Sequence, residues 1–115
     1  EILKLTKRNL INSAAHITGG GLIENLSRSI PENLSMNIDL SKIRLNKIFK
    51  WIKKHEISDQ EMMKTFNCGI GFCVVAPRKN IKNIKNIFNK KYKPYEIGFV
   101  SKNKKRLNTL NFLKW

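Results

Sequence analysis

Apolar positions along this chain recur in two periods, near 3.6 and near 2, and the switches between them mark out its elements. Residues 2–9 have helical spacing, and 11–18 (INSAAHIT), small and β-branched, predict a buried strand. Gly19-Gly20-Gly21 then breaks the pattern. Apolar residues at 22, 23, 26 and 30 predict a short helix over 22–29 that stops at Pro31. Strict alternation of Leu34, Met36, Ile38 and Leu40 predicts a half-buried strand over 33–40, and positions 45, 48, 49 and 52 an amphipathic helix over 45–54. Ser58, three residues before Glu61, has the spacing of a capping box and opens a helix to about Phe66.

The run from Asn67 to Pro77 (NCGIGFCVVAP) is nearly continuously apolar, which predicts a central strand. Residues 80–90 repeat Asn-Ile-Lys and put Ile81, Ile84, Ile87 and Phe88 on one helix face. Two closing strands are expected at 95–100 and 107–112, joined by a solvated basic turn from Lys102 to Arg106. Strands and helices thus alternate irregularly. The predicted fold class is α+β, a layered α/β/α domain with a mixed sheet flanked by helices.

With 115 residues, one core suffices without disulfides or metals. No apolar run reaches the roughly 18–20 residues of a membrane helix and the first residues are not a secretion signal, so a soluble cytoplasmic protein is expected. The chain opens on Glu1 inside an amphipathic pattern, as a piece of something longer would. Cys68 and Cys73, five apart in a strand, would face opposite ways, which favours buried free thiols over a bridge or a metal.

The net charge of +15 suits a polyanion binder. Yet 18 of the 23 basic residues are Lys, and Lys, Asn and Ile together fill 47 of 115 positions, in helices and loops alike. That is a bias of the whole chain rather than a shaped patch, and aromatics interleaved with the basic residues are not evident, so nucleic acid is not an expected partner.

The chemistry concentrates in two stretches. In the first, a strand enters three glycines and then a helix, a turn whose bare backbone N–H groups can accept phosphate, with Thr18, Asn25 and Arg28 as side-chain donors. A tight turn chosen only for close packing explains the same residues. The pattern is neither a Walker loop nor the dinucleotide fingerprint. His16, at the strand end, is either a structural histidine or a functional one beside that turn, whereas His55 is expected to be solvated at a helix end. In the second stretch a helix passes into a strand through Asn67, with Gly69 and Gly71 allowing close approach of a ligand or of another backbone.

Together, AHITGGGLIENLSRSIP at 15–31 and EMMKTFNCGIGFCVV at 61–75 resemble the C-terminal domain of phosphoribosylformylglycinamidine cyclo-ligase, the AIR synthetase of purine biosynthesis. Phe49-Lys50-Trp51-Ile52 and Tyr95-Glu96-Ile97-Gly98 extend the resemblance, and Ser27 departs from the proline common before Arg28. Residues 1–115 would be most of that domain, without the family's N-terminal ATP-binding and dimerisation domain.

The resemblance implies ATP-dependent closure of formylglycinamidine ribonucleotide to aminoimidazole ribonucleotide, with ATP and Mg²⁺ held mainly by the domain missing here, and a homodimer at full length. It further implies that Thr18, Gly19, Gly20, Gly21, Asn25 and Arg28 bind substrate or nucleotide phosphate, that His16 orients or protonates a substrate group, and that Asn67 lines the cleft. No metal ligand is assigned on this chain. Alone, the fragment is expected to be inactive. The alternatives are another ATP-using member of the superfamily, of formylglycinamidine ribonucleotide synthase, selenophosphate synthetase or thiamine-phosphate kinase type, and a basic nucleic-acid-binding module.

Overall fold

The computed structural model describes residues 1–115. The chain runs α1 (Ile2–Lys7), β1 (Ser13–His16), α2 (Gly21–Ser27), β2 (Ser35–Asp39), α3 (Lys47–Lys53), α4 (Asp59–Thr65), β3 (Phe72–Val75), α5 (Ile81–Ile87), β4 (Gly98–Ser101) and β5 (Leu107–Leu110), with three single 3₁₀ turns between them. Every expected element is present and in the expected order. Each is shorter than its apolar run, because caps and turns consume the ends. Ser58 opens α4 as its spacing requires, its hydroxyl accepting from the Glu61 N–H at 3.2 Å.

The strands divide between two sheets. β1 and β3 form an antiparallel ribbon with Ala15 opposite Cys73 and His16 opposite Phe72. β2 is the centre of a mixed three-stranded sheet, antiparallel to β4 and parallel to β5. Of the two runs, it is therefore 33–40, read as half-buried, that sits centrally with both faces covered. The run 67–77, read as a central strand, yields only the four-residue β3 on the two-stranded ribbon. The cause is local: Cys68 (φ +50°) and Gly69 (φ +94°) turn the backbone left-handed, so the chain straightens only at Phe72.

One core joins both sheets to α2 and α4. Ala15 and Ile17 from the ribbon, Leu22, Leu26 and Ile30 from the α2 region, Met36 and Ile38 from β2, Met63 from α4 and Ile70 all belong to it. α2 approaches α4 as closely as backbones allow, since a Cβ at Gly21 (φ +61°) would lie 1.9 Å from the Met63 carbonyl oxygen. Arg106, expected in a solvated turn with its lysine neighbours, is half-buried instead. Its guanidinium donates to the carbonyls of Ser27, Ile30 (3.0 Å), Pro31 (2.9 Å) and Leu34, tying the start of β5 to the chain leaving α2.

Both cysteines are free. Cys68 is buried in the turn before β3, with its thiol 3.6 Å from the Met62 carbonyl, and Cys73 is half-buried within β3. No helix is long and apolar enough to cross a membrane.

Gly21→Ala is expected to cost about 2–4 kcal/mol, combining overpacking against fixed backbone with a left-handed φ. Gly71→Ala, with nothing within 4 Å of its added carbon and no positive φ, is expected to stay within about 1 kcal/mol of the parent. Urea denaturation of the two variants compares them directly.

Candidate functional site

The two chemistry-bearing stretches meet in space. α2 lies on α4 through Gly21, and β1 lies on β3, so the glycine turn and the Asn67–Gly71 turn are held at one end of the ribbon. Ile17 N–H donates to the Gly71 carbonyl at 3.0 Å, extending the ladder one step towards the glycines. Within that frame the side chains alternate: Ala15 and Ile17 point into the core, while His16 and Thr18 stay exposed.

The three glycines have three different surroundings. Gly21 is spent on packing, and its N–H donates to the Thr18 carbonyl at 3.1 Å. Gly20 has φ +89°, and a Cβ there would lie 2.4 Å from a Glu24 carboxylate oxygen. Gly19 faces open space. The amides of Gly19 and Gly20 make no hydrogen bond within the protein, so the turn presents two adjacent free donors beside the exposed Thr18 hydroxyl.

The other expected donors are engaged elsewhere. Asn25 turns its amide inward and donates to the carbonyls of Gly21 at 2.7 Å and Gly19 at 3.1 Å, so it braces the turn from within. Arg28 pairs with Glu24 one helical turn earlier on the exposed face of α2. Asn67 likewise serves its own turn, its side-chain oxygen accepting from the Gly69 N–H at 3.0 Å. His16 stacks on Phe72 across the ribbon, with ring centroids 5.6 Å apart and planes 18° from parallel. His55 is exposed beside Trp51.

Two neighbours of the site were not singled out from the sequence. Phe72, 45% exposed, forms a flat apolar step beside the turn with His16; its partner became visible only once the register was known. Glu24 leans over Gly20 and brings a carboxylate close to the free amides. The i, i+4 spacing of Glu24 and Arg28 was the available signal.

Nowhere in the chain do three His, Cys, Asp or Glu side chains converge as a metal site. The thiols near the turn are unreactive by placement. Burial pushes Cys73 up to about 12 and Cys68 up to about 11, with the Asp59 charge a second cause at Cys68.

The family described as "AIR synthase related protein, C-terminal domain" matches residues 1–107. The chain is 42% identical over 83 residues to the trifunctional purine biosynthetic protein adenosine-3 of Chironomus tentans, covering 71% of this chain and 6% of that protein. It is 49% identical over 78 residues to phosphoribosylformylglycinamidine cyclo-ligase of Xylella fastidiosa, covering 65% of this chain and 22% of that one. With the enzyme of the same name from Lactobacillus helveticus it shares 38% over 103 residues, 88% of this chain and 30% of that enzyme. The chain therefore spans less than a third of each of these relatives.

Both thiols are expected to react with a thiol reagent at pH 8 roughly 10²–10³-fold more slowly in the folded protein than in denaturant, because their thiolate fractions fall by that factor. A stopped-flow comparison of native and guanidinium-unfolded chain measures the ratio.

Proposed function

The chain belongs to the AIR synthase related protein C-terminal domain family, and from that premise we propose that it forms the C-terminal wall of a phosphoribosylformylglycinamidine cyclo-ligase. The reaction is the ATP-dependent ring closure of formylglycinamidine ribonucleotide to aminoimidazole ribonucleotide. One observation carries this reading: the two motif stretches, far apart in sequence, are locked together at Gly21 and Met63 and open a pair of free amides at their junction.

In this reading the Gly19 and Gly20 N–H groups and the Thr18 hydroxyl receive a phosphate of substrate or nucleotide. Asn25 fixes the curvature that aims those donors, and Gly21 fixes their height above α4. His16, kept flat by Phe72, lies next to the bound group and orients or protonates it. Arg28, released from Glu24, supplies a mobile positive charge at the rim. Asn67 shapes the lower edge of the cleft through its hold on Gly69.

ATP supplies the phosphoryl group that activates the formyl oxygen. Its phosphates suit backbone donors of this kind. Mg²⁺ does not fit the residues here, since no acidic cluster converges, and we place it on the remainder of the enzyme together with most of the nucleotide. A full-length homodimer and a cytoplasmic setting complete the proposal.

The test is a purified full-length protein containing this chain. It is expected to form aminoimidazole ribonucleotide in the presence of ATP, while residues 1–115 alone give no turnover, because orienting two reactants takes both sides of a cleft. In that full-length protein Thr18→Val is expected to weaken binding of the phosphate-bearing ligand by roughly 10–100-fold, the equivalent of one hydrogen bond to a charged group. Turnover by the isolated chain, or unchanged affinity in calorimetry, speaks against the assignment.

A further inference from the structure

A second surface, on α3 and its C-terminal cap, has the makings of a binding site. Lys47, Lys50 and Lys54 follow one another at spacings of three and four along α3 and its cap, so their ammonium groups form a single stripe about 10 Å long. Beside it Trp51 is 58% exposed, and His55 meets its ring in a T-shaped contact at 4.9 Å. Tertiary packing then adds a second indole. Trp115 donates its N–H to an Asp59 carboxylate oxygen at 2.8 Å, and Lys53 pairs with the same oxygen at 2.7 Å while lying 5.4 Å from the centre of the Trp115 ring. Four lysines and two tryptophans line one open depression of about 430 Å³.

We infer that this depression binds single-stranded nucleic acid, one base stacking on Trp51 while successive phosphates follow Lys47, Lys50 and Lys54. Charge by itself would not select such a ligand, because lysine is spread over the whole chain. The local pattern does more: four of the eight residues from 47 to 54 are Lys and none is acidic, against 23 basic residues in 115 overall.

A second depression supplies the contrast. Beside α5, Arg78, Lys82, Lys85 and Lys93 line about 580 Å³ together with Glu96, which pairs with Lys85 at 2.9 Å, and no ring faces it. It offers attraction without a stacking surface. An isolated nucleotide would call for an enclosed pocket with fixed polar groups; an open stripe of spaced cations beside an exposed ring suits a strand. This departs from the expectation of no nucleic-acid partner: Trp51 stands among the lysines of α3 in the sequence itself, and the fold brings the distant Trp115 beside them.

The test uses the purified full-length protein containing this chain and a fluorescein-labelled oligothymidylate of about 20 nucleotides, read by anisotropy at several salt concentrations. Binding is expected at low salt, with quenching of tryptophan fluorescence. Trp51→Ala is expected to lower affinity about tenfold and Trp51→Phe to recover part of it, as base stacking predicts. Lys50→Ala should make the salt dependence shallower by about 0.7 in slope. The double variant Lys82→Ala/Lys85→Ala, which removes charge from the other depression, should stay within about threefold of the parent beyond its own salt term. Circular dichroism verifies that each variant is folded. The inference is overturned by any of four results: no binding at about 50 mM salt, no effect of Trp51→Ala in a folded variant, an equal loss from the α5 double variant, or an acidic polypeptide such as polyglutamate binding with the same dependence on Trp51.

Discussion

The contact between Gly21 and the Met63 carbonyl sets the geometry of everything around it. No side chain separates the two helices there, so α2 and α4 touch backbone to backbone, and a left-handed φ at Gly21 is what lets the chain enter α2 in that position. Three consequences follow from this one approach. Leu22 and Leu26 are driven into the core beside Met63. The free amides of Gly19 and Gly20 are left outside, with open space above Gly19. The Asn67–Gly71 turn, which follows α4 directly, is carried to the same end of the ribbon, where Ile17 bonds to Gly71.

A second restraint works from the far end of the chain. Arg106 gathers carbonyls from Ser27 to Leu34 with one planar guanidinium, so the segment leaving α2 and the start of β5 cannot move independently. β5 in turn lies parallel to β2, which joins the two sheets through the common core. The first fifty residues and the last ten thus depend on each other, although little in either stretch announces it.

This explains what was legible in the sequence and what was not. Periodicity located every helix and strand, because each helix buries one stripe and each buried strand one face. It could not say which strand is central. The apolar run 67–77 has the stronger strand composition, but its left-handed turn at Cys68 and Gly69 uses up half of it, and that depends on φ angles rather than hydrophobicity. Of the two readings of the glycine turn, close packing is met at Gly21, while the Gly19 and Gly20 amides, the donors of the phosphate reading, are unpaired. What composition hid was the destination of polar side chains. Asn25 looks like a free donor in the sequence, yet its amide closes onto its own turn, and Asn67, read as lining the cleft, accepts from the Gly69 N–H within its turn. Arg106 looks solvated beside four exposed neighbours, and only the fold provides it with carbonyls.

The same inward use of polar groups bears on the chemistry. A ring closure driven by phosphoryl transfer needs charge neutralisation, exclusion of water and two reactants in line. On this chain the acids near the turn reduce to Glu24, itself paired with Arg28, and no set of carboxylates converges on a cation. In the proposed function the chain grips a phosphate-bearing molecule through backbone donors, with Arg28 as the cation at the rim and no side-chain cluster that would hold a metal ion beside them. Its excess of positive charge does not make up the deficit, because the lysines are spread over the outer faces of α3, α5 and the loop before β5 rather than gathered at the turn. On that reading these residues form one wall of a cleft, and the groups that neutralise the transferred charge are proposed to lie on the rest of the enzyme.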